Sequence, residues 1–328
     1  MTDLTTAIFS TDNEADFEKN CLDVFHHQAK HCQIYRDYIS NLRVDPGQVK
    51  SIAQIPYLPI SFFKTHEVLS STAAVEIIFS SSGTTGMSQS QHRVTDLSIY
   101  ERSFTLAFEQ FYGKIEGTCF LALLPAYLER EGSSLIYMVD ALIKDSKHPD
   151  SGYFLHNHSE LHQKLTALKA AGQKTILIGV TYALLDFIET QAIDFPELVV
   201  METGGMKGKR KEMVREELHD ILQSGFGVNA IHSEYGMTEL LSQGYSHGEG
   251  IFNCPPWMKI HLRDTNDPLT LVTEAQKTGG INVIDLANIN SCSFIATQDL
   301  GRLHADGAFE VLGRFDNADI RGCNLLVG

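Results

Sequence analysis

Three runs in the middle of the chain, residues 119–124, 175–180 and 198–202, are almost wholly apolar. Between and after them, residues 134–144, 181–190 and 209–222 carry the mixed composition of helices. A strand that is apolar on both faces has to be covered on both faces. Strands of this kind alternating with helices predict a mostly parallel, covered sheet in an α/β fold.

The flanks read differently. Residues 14–42 predict one long amphipathic helix, with Phe17, Cys21, Val24, Phe25, Tyr35, Tyr38 and Leu42 near helical spacing and Thr11 with Glu14 as its capping box. The prolines of Ile55-Pro56-Tyr57-Leu58-Pro59-Ile60 predict an extended segment. Strands are expected at 75–79 and 92–94, with a loop over 80–90. Thr95 and Asp96 then suit the start of a helix with Tyr100, Phe104, Phe108 and Phe111 on one side. Beyond residue 251 short β-like runs dominate, at 258–262, 280–286 and 294–296. The chain reads as one large domain over 1–328: a helical region at 1–74, an α/β part at 75–250 and a β-rich section at 251–328.

The net charge of −15 argues against a nucleic-acid partner, which needs a basic surface to neutralise phosphates. No apolar run reaches the roughly 20 residues of a membrane span, and residues 1–13 are too polar for a signal peptide. The six cysteines, at 21, 32, 119, 254, 292 and 323, form no C-x-x-C pair, so a reducing cytoplasm is the expected setting. His27 and His31 share one face of the first helix, but two histidines without a third ligand read as a surface feature.

The densest chemical signal is Ser80-Ser81-Ser82-Gly83-Thr84-Thr85-Gly86, five hydroxyls and two glycines in seven residues. Glycine lets backbone N–H groups approach a phosphate, and the hydroxyls donate to its oxygens. No Gly-Lys-Ser/Thr follows, so this is not a Walker A loop. On composition alone the run fits a surface turn equally well.

The order of the residues narrows the choice. Ser-Ser-Gly-Thr-Thr-Gly resembles the phosphate loop of the adenylate-forming superfamily of acyl-CoA synthetases, firefly luciferase and peptide-synthetase adenylation domains. Further segments follow in that superfamily's order: Thr203-Gly204-Gly205-Met206, Tyr235-Gly236-Met237-Thr238-Glu239, Thr297-Gln298-Asp299-Leu300-Gly301-Arg302, Asp306-Gly307 and Gly313-Arg314-Phe315-Asp316. The resemblance implies the large N-terminal domain of that fold, with ATP bound where the Ser80 loop, the Gly204 segment and the Tyr235 motif converge. Ser81, Ser82, Gly83, Thr84, Thr85 and Gly86 would hold the phosphates. Gly204, Gly205 and Met206 would flank the adenine and acyl pockets. Tyr235 would stack on adenine within its motif of Gly236, Met237 and Thr238. Glu239 with Thr84 would bind Mg²⁺, and Asp299 and Arg314 would reach the ribose. His232, just before the Tyr235 motif, fits the wall of the acyl pocket and equally a hydrogen-bonded core histidine.

Departures from the superfamily pattern are informative. Met87-Ser88-Gln89 stands where a Pro-Lys usually follows the phosphate loop, and Gln298 stands where a glycine usually precedes the ribose aspartate. The chain ends twelve residues after Asp316, so the small mobile domain that carries the superfamily's catalytic lysine is expected to be absent. The acyl-protein synthetase (LuxE) family shares that truncation. It also resembles this chain in Ile55-Pro56-x-x-Pro59-Ile60-x-Phe62-Phe63-Lys64, in Leu124-Pro125-Ala126-Tyr127-Leu128-Glu129-Arg130 with Gly132-Ser133-Ser134-Leu135, and in Gly204-Gly205-Met206-Lys207-Gly208. That branch implies a fatty-acid substrate activated as acyl-AMP, transfer to a cysteine near the C-terminus, here Cys323, and delivery to an acyl reductase. Arg321 beside Cys323 would favour the thiolate. Two rival readings are a ligase that passes the acyl group to a carrier protein or CoA, and a non-catalytic subunit that binds the nucleotide.

Overall fold

Each of the three apolar runs is a strand. The structure is a computed structural model that describes residues 2–81, 89–125, 132–204, 213–274 and 276–315. In chain order its helices are α1 (Thr2–Phe9), α2 (Glu14–His31), α3 (Gln33–Asn41), α4 (Phe62–Thr65), α5 (Leu97–Tyr112), α6 (Ser134–Ser146), α7 (His158–Ala170), α8 (Thr181–Thr190) and α9 (Arg215–Phe226). The strands are β1 (Leu58–Pro59), β2 (Ile77–Ser80), β3 (Gln91–Val94), β4 (Cys119–Leu123), β5 (Gly152–Tyr153), β6 (Thr175–Gly179), β7 (Val199–Glu202) and β8 (His232–Tyr235). They continue with β9 (Gly244–Ser246), β10 (Ile251–Asn253), β11 (Met258–Arg263), β12 (Leu271–Val272), β13 (Thr278–Asp285), β14 (Phe294–Leu303) and β15 (Phe309–Arg314). The chain divides into two compact units, one of Met1–Glu76, Gly83–Asp96 and Pro256–Gly328, the other of Ile77–Ser82 and Leu97–Pro255.

The second unit holds the parallel sheet. Its strands run in the order β5-β4-β6-β7-β8-β9-β10, parallel from β5 to β8 and antiparallel from there. Every residue of β4 and β6 is buried, as apolar runs covered on both faces require. Each large apolar side chain buried in this way contributes about 1.5–3 kcal/mol.

The first unit holds an antiparallel sheet in the order β12-β11-β13-β14-β15, with β1 alongside β14 in parallel. This is the expected β-rich section, and the extended Pro-rich segment is the strand that joins it: Leu58 pairs with Ile295, and Ile60 N–H donates to Ala296 O at 2.9 Å. The N-terminal helices belong to this same unit. Gln28 of α2, fully buried, donates from Nε2 to Asn288 O at 2.9 Å and to Ile289 O at 3.1 Å, and accepts from Ser293 N at 2.9 Å.

Two expectations are corrected. The long helix is two helices, because Cys32 takes an extended conformation (φ −87°, ψ 103°) between α2 and α3. Cys32, Tyr35 and Ile39 are all buried, so the apolar spacing continues across the break and conceals it. The N-cap of α2 is Asn13, whose side chain accepts from Asp16 N, rather than Thr11. Thr11 instead closes the unforeseen α1, donating through Oγ1 to Ile8 O at 2.7 Å.

Candidate functional site

In the second unit, two of the motif segments leave adjacent parallel strands at their carboxyl ends. Strands β7 and β8 pair through Met201–His232 and Glu202–Ser233. Thr203 and Gly204 follow β7, and Gly236 to Glu239 follow β8. The carboxyl edge of a parallel sheet is where open α/β folds bind ligands, since the loops there are free to vary while the strands hold them. Gly204 has φ +74°, a left-handed conformation that side-chain-bearing residues rarely adopt. Thr203 N–H reaches across to Gly179 O on β6 at 3.0 Å, and its buried Oγ1 has no partner among the described residues. A buried hydroxyl of that kind is suited to a hydrogen bond with a bound ligand.

Glu202, the last residue of β7, is buried and holds this turn from beneath. Its Oε2 accepts from Gly204 N at 2.6 Å and from Thr181 Oγ1 at 3.2 Å. His219 Nε2 of α9 lies 3.9 Å from Oε1, beyond hydrogen-bond distance. Burial on its own raises this carboxyl's pKa, but His219, Ser233, Arg215 and the Gly204 N–H outweigh it and hold Glu202 below the ordinary glutamate range. In the sequence Glu202 reads only as the end of an apolar strand. The signal it offered was an acid closing an apolar strand directly before Thr-Gly-Gly.

On β8, Tyr235 is buried, with its ring 6.0 Å from that of Phe252, and the turn after it closes with Leu240 N donating to Met237 O at 3.1 Å. Glu239 in that turn is 5% exposed, a buried carboxylate rather than a solvated surface acid. His232 is half-buried, with its Nδ1 3.4 Å from the Tyr112 hydroxyl and its ring 5.2 Å from that of His247. Burial and the neighbouring His247 push His232 down to about 4, so it is neutral at physiological pH. Glu234, two residues along the same strand, pairs with Tyr245 of β9. Burial, with the charge of Glu202, pushes its carboxyl up to about 8. In the sequence Glu234 falls between His232 and Tyr235 and carries no motif signal of its own.

In the first unit, Asp299 of β14 and Arg314 of β15 are direct partners in the antiparallel ladder. Arg314 Nε lies 3.3 Å from Asp299 Oδ1; the carboxylate is buried and the guanidinium exposed. A pair with one exposed member adds little to stability, about 0–1 kcal/mol, so its interest lies in what it presents to a ligand. Of the remaining expected site residues, Ser81 follows β2 and is half-buried. Ser82, Gly83, Thr84, Thr85, Gly86, Gly205, Met206 and Cys323 lie outside the described residues.

Among the described residues no helix is long and apolar enough to cross a membrane. A structure of 2-hydroxyisobutyryl-CoA ligase in an open conformation, in complex with 2-HIB-AMP and CoA, matches with a TM-score of 0.69 at 13% identity, covering 92% of this chain and 71% of that one. ATP-bound MatB from Rhodopseudomonas palustris matches with a TM-score of 0.55 at 16% identity, covering 74% and 49% of the two chains. At such identities the likeness establishes the fold, a mixed α/β architecture shared with these ligases. The long-chain-fatty-acid–luciferin-component ligase of Photorhabdus luminescens is 42% identical over 71 residues, which are 21% of this chain and 60% of that protein. A sequence profile of the family described as acyl-protein synthetase, LuxE, matches residues 5–328, and on that match the chain belongs to the LuxE acyl-protein synthetase family.

Proposed function

We propose that this protein is an acyl-adenylate-forming ligase that uses ATP to activate a fatty acid and then carries the acyl group on Cys323. The observation that carries the reading is the family match over residues 5–328, with the relative from Photorhabdus luminescens pointing to a long-chain fatty acid as the substrate class. In the first step a carboxylate oxygen of the acid attacks the α-phosphorus of ATP. The bond from the α-phosphorus to the bridging oxygen breaks, and pyrophosphate leaves. In the second step the Cys323 thiolate attacks the acyl carbon, the acyl–oxygen bond to AMP breaks, and AMP leaves. An acyl reductase is the proposed recipient of the thioester, and the cytoplasm its proposed setting.

Within this proposal Ser81, Ser82, Gly83, Thr84, Thr85 and Gly86 bind the phosphates, and Tyr235 the adenine. Gly204 and Gly205 shape the nucleotide pocket and Met206 the acyl pocket, with His232 neutral against the acyl group. Asp299 accepts hydrogen bonds from the ribose hydroxyls, and Arg314 donates to the same sugar. Among the described residues no three His, Cys, Asp or Glu side chains group into a metal site. A single buried carboxylate, Glu239, fits a Mg²⁺ that arrives on the nucleotide's phosphates, and Thr84 is its second proposed ligand. Bound there, Mg²⁺ would offset phosphate charge during the attack.

Four of the five described cysteines are unsuited to carry the acyl group, and the fifth, Cys254, is half-buried. Cys21, Cys32, Cys119 and Cys292 are buried, and burial raises all four thiols above their ordinary pKa, which disfavours the nucleophilic thiolate.

Pyrophosphate release tests the activity. With ATP, Mg²⁺ and a series of saturated fatty acids of graded chain length, the protein should release pyrophosphate only when both ATP and an acid are present. Absence of release with every acid would refute the activity and favour a subunit that binds nucleotide without turning it over.

A further inference from the structure

The ladder between β13 and β14 is broken at the proposed ribose motif. Gly280 pairs with Leu300 and Asn282 with Ala296, so one residue of β13, Ile281, stands opposite three of β14: Thr297, Gln298 and Asp299. A bulge of this kind removes backbone groups from the ladder, and buried ones need other partners.

Arg263, at the end of β11, supplies them. Its side chain is buried, with Nη1 donating to Ile281 O at 2.7 Å and to Asn282 Oδ1 at 2.9 Å, and Nη2 donating to Thr297 O. Thr297 Oγ1 extends the chain of bonds, donating to Ile281 O at 2.9 Å and accepting from Asp299 N at 3.1 Å. On its other side the guanidinium lies 5.4 Å from the centre of the Phe315 ring. Phe315 follows Arg314, and its N–H donates to Gln298 O at 2.7 Å. The space for this stack is left by Gly280, the ladder partner of Arg263. A Cβ there would come within 2.6 Å of Arg263 Cζ and 2.9 Å of Phe315 Cε2.

One buried cation therefore holds the backbone two residues before Asp299 and the ring one residue after Arg314. A regular ladder would give this sheet its backbone bonds without burying a charge, which is costly unless every donor is used. A bulge is commonly used to re-aim a side chain beside a site.

We propose that Arg263 is a positioning residue for the nucleotide: it pins the bulge of β14 so that Asp299 and Arg314 are held together in the arrangement that takes the ribose. The proposal rests on the ribose reading of those two residues. A lysine could not replace the guanidinium, because a point ammonium does not supply a planar fork to two carbonyls and a face to an aromatic ring.

The test compares ATP with 2′,3′-dideoxy-ATP, titrated calorimetrically into the full chain, for wild type, Arg263→Lys, Arg263→Met and Asp299→Asn. Circular dichroism and thermal midpoints confirm folding. Wild type should prefer ATP by about tenfold or more, and Asp299→Asn should erase that preference. Each Arg263 variant should reduce the preference by about tenfold, while its KM for the fatty acid stays within about twofold of wild type. If both Arg263 variants fail to fold, Thr297→Val, which removes the link from Ile281 to Asp299, should show the same loss. A folded Arg263 or Thr297 variant that keeps the full preference overturns the positioning role and leaves the ribose reading intact. No preference in wild type, or an undiminished one in Asp299→Asn, overturns the ribose reading and the positioning role with it.

Discussion

Glu202 Oε2 accepts a 2.6 Å hydrogen bond from the backbone N–H of Gly204, tying the end of β7 to the left-handed glycine two residues on. The carboxylate stays ionised while buried, because the groups around it more than offset the cost of burial. Glu202→Gln keeps the shape and removes the charge. Hydrogen bonds to charged groups contribute about 1.5–3 kcal/mol, so urea unfolding at pH 7 should show a loss of about that size. The sign of the pH dependence follows from the depressed pKa. Glu202 adds stability above the 4.5 ordinary to a glutamate, and that stability is lost as the pH falls below it. The gap between the two proteins should therefore narrow under acid. Equal stability at pH 7 would contradict the assignment.

Glu234 presents the opposite case. Its carboxyl is pushed up to about 8 from the ordinary 4.5, so between those values the folded protein holds a proton that the unfolded chain has released. The contribution is fully present below 4.5 and is lost as the pH rises through 8, a decline of up to about 1.4 kcal/mol per pH unit. Glu234→Gln removes the titration. Unfolding curves from pH 5 to 8 should show wild type falling relative to the variant, and parallel curves would contradict the raised value.

The two sides of the proposed nucleotide site should separate kinetically. Asp299→Asn should raise the KM for ATP by about tenfold or more through loss of a charge-assisted contact to the ribose, with little change at saturating ATP. Glu239→Gln should chiefly lower turnover and shift the Mg²⁺ concentration needed for half-maximal rate. Initial rates of pyrophosphate release over a grid of ATP and Mg²⁺ concentrations measure both, and an unchanged Mg²⁺ response in Glu239→Gln would remove Glu239 from the metal site.

What the sequence disclosed is what local pattern encodes. The apolar runs at β4, β6 and β7 could only be covered strands, and α8 begins and ends where its composition changes, at Thr181 and Thr190. Strand β8 is harder to read, because His232, Ser233 and Glu234 are polar, yet the strand lies between β7 on one side and β9 on the other. Glu202 and Arg263 show the same limit in the sites. A lone acid at a strand end and a lone arginine in an alternating run read as solvated side chains. Their burial depends on partners far along the chain: Ser233 and His219 for Glu202, and Ile281, Thr297 and Phe315 for Arg263. The motif order singles out Asp299 and Arg314 as candidates, but only the register of β14 against β15 makes them neighbours.

Covalent acyl transfer is the central claim, and mass spectrometry of the protein after turnover tests it most directly. Wild type and Cys323→Ser are incubated with ATP, Mg²⁺ and an isotopically labelled fatty acid, then denatured and digested. The account predicts label on the wild-type peptide that contains Cys323, released by neutral hydroxylamine as a thioester is. It predicts no retained label in Cys323→Ser, with pyrophosphate exchange preserved, because a serine hydroxyl is a far weaker nucleophile than a thiolate. Label on any other cysteine, or label retained by Cys323→Ser, would contradict it.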